Sequence, residues 1–179
     1  MSSLQFLRSS LGKKYLMAIT GLLLLGFVIA HLLGNLLIFA GPQVLNAYAL
    51  KLLHLGALLW VARSGLLLTL VVHVVSSIQL AIENRKARRD RYVRQESMET
   101  NIAAKSMVLS GLMVFAFIIY HLLHFTFGLT QPAYFSLEDP LHHHEVYSMV
   151  VLGFKEAPIA FAFVVAIALL CMHLCHGFS

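Results

Sequence analysis

Six of the ten histidines of this chain fall inside long apolar stretches, where an ionisable side chain is costly and usually faces a bundle interior, a water cavity or a cofactor. They are His31 in the first stretch, His73 in the second, His121 and His124 in the third, and His173 and His176 in the fourth. Neutral imidazole is a good axial ligand for haem iron, and a haem held between two helices takes one histidine from each, at matching depth. The competing reading for any single one is a hydrogen bond between helices.

Depth follows from the numbering at about 1.5 Å per helical residue. His31 lies roughly 25 Å from the basic boundary at Lys14, and His121 roughly 24 Å from the one at Lys105. His73 lies roughly 15–18 Å from the end of its stretch at Glu83–Arg85, and His173 roughly 26 Å from the opposite boundary at Glu156. Both fall below the first pair, although they match each other less well, by about a turn or more. The expected ligand pairs are therefore His31 with His121 and His73 with His173, the second partly by elimination. Two haems so placed, one nearer each surface, would carry electrons across an apolar layer.

His124 and His176 each follow a proposed ligand by three residues on nearly the same helix face, which suits contact with a propionate or a quinone. Arg63 stands ten residues before His73, about 15 Å nearer the other surface. There a guanidinium would pair with a propionate, or would snorkel to water. The run from Cys171 to His176 looks like a stretched c-type haem attachment sequence, but its place inside a helix argues against covalent attachment. The His142-His143-His144 run reads as a solvated loop rather than a metal site. Gly21, Gly26, Gly34, Gly65 and Gly111 would let helices or a porphyrin face approach closely.

The elements that must position these residues follow from composition. Of 179 residues, 59% are hydrophobic and 12% charged, where a soluble domain carries roughly 25% charged residues. Four apolar blocks, about 15–40, 58–82, 106–129 and 157–178, are each long enough for the roughly 20-residue span that a bilayer core of about 30 Å requires. In lipid every backbone amide must pair within its own element, so the blocks are expected to be helices. The fold class is all-α, a polytopic transmembrane bundle forming one membrane domain over residues 1–179, with no internal repeat.

Pro42 and Pro158 sit at block edges, where a missing amide does little harm. The apolar run after Lys13 and Lys14 outlasts the usual signal-peptide core of about 7–15 residues, so it reads as a retained helix. The segment Arg85–Arg94, with Arg8, Lys13, Lys14 and Lys105, concentrates positive charge on one side. The positive-inside rule makes that side, and the amino terminus, cytoplasmic. The connectors around 41–55 and 131–155 would then face outward as loops.

The run Ser10-Leu11-Gly12-Lys13-Lys14-Tyr15-Leu16-Met17-Ala18-Ile19-Thr20-Gly21, with His31-Leu32-Leu33-Gly34-Asn35-Leu36, resembles the start of the dihaem cytochrome b subunit of succinate dehydrogenase and fumarate reductase. Ala62-Arg63-Ser64-Gly65 leading to His73, Tyr120-His121-Leu122-Leu123-His124-Phe125 and His173-Leu174-Cys175-His176-Gly177 extend the resemblance over nearly the whole sequence. It implies two haem b groups on His31, His73, His121 and His173, in a bacterial cytoplasmic membrane. The implied partners are a flavoprotein, an iron–sulfur subunit, lipid and a quinone, often menaquinone, and not nucleic acid. The dicarboxylate chemistry would belong to another subunit.

Family members usually have five transmembrane helices, so the sequence reads as ending before the last. Some also carry a membrane glutamate near the fourth-helix ligand, and Leu170-Cys171-Met172-His173 has none. Two alternatives remain at this stage: a b-type anchor of another respiratory oxidoreductase, and a haem-free proton-coupled transporter.

Overall fold

A computed structural model describes Gln5, residues 9–87 and residues 102–177. Most of the basic run expected at Arg85–Arg94 lies outside the described residues. The elements are α1 (Ser10–Asn35), a 3-10 turn (Leu36–Ala40), α2 (Pro42–Leu53), α3 (Ala57–Ala87), α4 (Ile102–His121), a π-helical segment (Leu122–Thr126), α5 (Pro132–Phe135), α6 (Val146–Lys155) and α7 (Ala157–Gly177). Four helical stretches, Ser10–Ala40, Ala57–Lys86, Met107–Thr126 and Ala157–Gly177, are long and apolar enough to cross a membrane. They present apolar side chains outward along their length, with Leu22, Leu33 and Leu67 each 60% exposed, a surface suited to lipid.

The chain forms two compact units. In the first, α1 packs antiparallel on α3. Helix α1 begins at Ser10, five residues ahead of the apolar block, because the Ser9 hydroxyl accepts from the Gly12 amide at 3.1 Å and caps it. The extra turn carries Lys13 to Glu83, which also accepts from the Ser10 hydroxyl at 3.2 Å. That pairing likewise extends α3 past Ile82. At its far end α1 tightens into the 3-10 turn and stops at Gly41, whose φ of +99° ends the helix ahead of Pro42.

In the second unit α4 packs on α7, and α6 on both α7 and α5. Phe163 of α7 is buried and central, its ring 4.8 Å from Phe117, 5.6 Å from Phe125 and 4.9 Å from Phe154. The connectors expected as loops contain helices instead. Proline at the first position favours α2 and α5. Helix α6 buries Met149 and Gly153. Asn46 of α2 ties these connectors together: its side-chain amide donates to Glu145 at 2.9 Å, and its oxygen accepts from the Tyr147 amide at 2.9 Å. The second bond satisfies a donor at the start of α6 that no neighbouring side chain caps.

The two units share a construction, so the expectation of no internal repeat is corrected. Thr20-Gly21-Leu22, Phe27 and His31-Leu32-Leu33 of α1 recur at a constant offset as Ser110-Gly111-Leu112, Phe117 and His121-Leu122-Leu123 of α4. Against a leucine-rich background such matches carry little weight alone. They count here because, in each unit, the hydroxyl–glycine pair meets a histidine of the facing long helix.

The turn after the π segment rests on Gly128, at φ +65°, where an added methyl group would run into the Phe135 ring. Left-handed backbone costs a non-glycine residue about 1–2 kcal/mol before that overlap is counted. Gly128→Ala should therefore lower the thermal unfolding midpoint of the detergent-solubilised chain. An unchanged midpoint would show that this turn does not close on Phe135.

Candidate functional site

His73 of α3 is half-buried against α1. Its Nδ1 lies 3.2 Å from the Met17 carbonyl and 3.2 Å from the Thr20 hydroxyl, which itself donates to the Leu16 carbonyl at 2.6 Å. A methyl group on Gly21 would stand 3.3 Å from His73 Cε1, so the glycine makes room for the ring. His173 of α7 repeats this against α4. Its Nδ1 is 3.2 Å from the Ser110 hydroxyl, which donates to the Met107 carbonyl at 3.0 Å, and a methyl on Gly111 would stand 3.1 Å from its Cε1.

Within its own unit, each of His73 and His173 meets the corresponding hydroxyl of the helix it faces, Thr20 of α1 and Ser110 of α4. His31 and His121 lie eleven residues further along α1 and α4, roughly 16 Å away along the axis. Each is preceded by a phenylalanine one turn earlier: Phe27 stacks on His31 at 5.4 Å and 23°, and Phe117 lies 6.1 Å from His121. His31 is exposed on its helix, whereas His121 is half-buried against Phe163 at 5.8 Å. His31 and His73 belong to the first unit, His121 and His173 to the second.

His124 is 4% exposed and lies in the π segment, a distortion that recurs at functional sites. Its Nδ1 shares a short hydrogen bond with the Thr130 hydroxyl, and its ring stacks on Tyr120 at 5.7 Å. Gly153 of α6 passes close by; a methyl there would be 3.2 Å from His124 Nε2 and 3.8 Å from Gln131 Oε1. Among the described residues, Gln131 Oε1 and His176 Nδ1 are buried polar atoms without a hydrogen-bond partner. Arg63 is exposed and places its guanidinium 5.3 Å from the centre of the Trp60 ring, within cation–π range.

Thr20, Ser110, Gln131 and the π segment had no part in the sequence reading. For the first two the signal was present, as a hydroxyl–glycine pair eleven residues before each of two histidines. Nothing comparable marked Gln131 or the π segment.

Among the described residues no three His, Cys, Asp or Glu side chains gather as ligands for a bare metal ion. In the triple-histidine loop His142 pairs with Glu138 at 2.9 Å and His143 with Asp139 at 3.3 Å, while Glu138 and His144 form an isolated antiparallel bridge. Cys171 and Cys175 are exposed and form no disulfide. No protein-family profile matches this chain, and no curated protein or solved structure matches it.

The Asp139 carboxyl is held below the usual carboxylate range, first by the His143 amide at 2.9 Å and also by the Leu141 amide at 2.8 Å. A depressed folded value means the carboxylate's contribution is complete above the unfolded value of about 3.9 and is lost as pH falls through the lower folded one. Amide hydrogen exchange across residues 138–145 should then accelerate only in that acid window, after correction for intrinsic rates. Asp139→Asn should abolish the pH step, and a wild-type loop whose protection ignores that window would contradict the assignment.

Proposed function

We propose that this chain is the dihaem cytochrome b anchor of a succinate:quinone oxidoreductase, carrying electrons between an iron–sulfur subunit and a quinone across a bacterial cytoplasmic membrane. The observation that carries this reading is one histidine environment built twice, once in each unit. Two like-held histidines, one in each unit, with two more about three turns further along α1 and α4, would make up the donor set that two bis-imidazole haems need. The donors fit the group: a porphyrin brings four nitrogens of its own, so two imidazoles would complete the iron, and Gly21 and Gly111 let the His73 and His173 rings lie close against α1 and α4.

His73 and His173 would hold one haem, and His31 and His121 the other. When bound, such a group passes one electron at a time by cycling its iron between ferric and ferrous states. Thr20 and Ser110 would fix the orientation of the His73 and His173 rings, and neighbouring apolar side chains would limit water there. His124, His176 and Arg63 are the candidates to touch a propionate or the quinone, and the buried unpaired His176 Nδ1 favours such a role for that residue. Succinate or fumarate would react on a flavoprotein subunit, docked with the iron–sulfur subunit on the cytoplasmic, amino-terminal side. Menaquinone fits the dihaem branch that the sequence resembles.

The hydrogen bonds from Thr20 and Ser110 also favour a second reading, because imidazoles so held would serve a haem-free proton-coupled transporter equally well. Haem content separates the two. The chain purified from membranes should carry about two haem b with a reduced b-type spectrum; His73→Ala and His173→Ala should each lose one haem, and His31→Ala the other. A colourless wild-type preparation overturns the proposal, while an intact dihaem spectrum without a flavin-bearing partner would point to another respiratory enzyme.

A further inference from the structure

We propose that Thr20 and Ser110 are positioning residues that fix the tautomer of His73 and His173, keeping the proton on Nδ1 and the lone pair on Nε2. The claim that Nε2 is then offered to iron rests on the haem reading above; the position of the proton does not.

The argument is one of counting donors. The Met17 carbonyl can only accept, so the His73 Nδ1 facing it at 3.2 Å must carry hydrogen. The single proton of the Thr20 hydroxyl is committed to the Leu16 carbonyl at 2.6 Å. Its oxygen therefore meets Nδ1–H with a lone pair. For His173 the count runs through the hydroxyl alone: Ser110 gives its proton to the Met107 carbonyl at 3.0 Å, which leaves a lone pair for Nδ1–H at 3.2 Å. Thr20 is 7% and Ser110 3% exposed, so water has little access to replace either oxygen.

Metal-bound imidazoles commonly donate their second N–H to an oxygen in this way, which orients the ring and raises its basicity. A more basic ligand favours ferric iron and lowers the reduction potential. Because His73 and His173 would share one haem, losing either hydroxyl should act on that haem alone.

The first test needs no haem. In the full chain, labelled with 15N-histidine and prepared in bilayers under haem limitation, NMR should find His73 and His173 protonated on Nδ1. Thr20→Val and Ser110→Ala should each raise the Nε2-protonated fraction of their own partner, while Thr20→Ser and Ser110→Thr keep the wild-type pattern and verify the fold. Nε2-protonated histidines in the wild type, or hydroxyl-free variants identical to it, overturn the proposal.

The second test is a redox titration of the haem-loaded full chain. Thr20→Val and Ser110→Ala should raise the midpoint potential of one and the same haem and leave the other unmoved. Potentials unmoved in both variants would overturn the ligand-presenting role. Absence of haem from the wild type would instead overturn the functional reading, with the NMR result still deciding the tautomer.

Discussion

A polar side chain on an apolar helix can satisfy itself only on its own backbone or on the helix opposite, and in both units one hydroxyl does both. Thr20 and Ser110 give their protons back to the preceding turn and turn their oxygens to a histidine of the facing helix. The glycine that follows each lets the imidazole lie close against the backbone. Register, helix contact and ring orientation are set together at one point, and a shift of one residue along α1 or α4 would break all three.

The rest of each unit holds that register from a distance. In the first, Lys13 and Ser10 clasp Glu83 a few turns from His73, so the helix pair is tied at its end as well as near its middle. In the second, Phe163 fills the space between α4 and α7, and the Asn46 clamp holds α6 at its start. The π segment follows directly on His121, and its extra residue per turn carries His124 into a buried position beside Gly153. A regular helix would have carried His124 to a different angle. The local distortion and the burial of that imidazole are therefore one event.

The doubled construction also bears on how the proposed electron path would work. In the proposed arrangement the hydroxyl beside each of His73 and His173 would lend both ligands a similar hydrogen-bonding character. Further along the same helices, Phe27 stands beside His31 and Phe117 beside His121.

Four long apolar helices were legible in the sequence because lipid leaves the backbone no other way to pair its amides, and the histidines stood out because such residues are rare in that setting. The ends of α1 and α3 were not legible, since they depend on the Ser9 cap and on Glu83 meeting Lys13 from another helix. Nor were α2 and α6, whose short amphipathic runs are stabilised by Asn46 and by packing on α7 rather than by their own composition. Thr20 and Ser110 bond to the preceding turn as hydroxyls in apolar helices commonly do, and nothing local marks the histidine that each also meets. Spacing along a chain counts turns from uncertain ends, whereas a hydroxyl touching an imidazole measures height directly. That is why tertiary contact alone showed His73 and His173 meeting corresponding positions of the helices they face, each in its own unit.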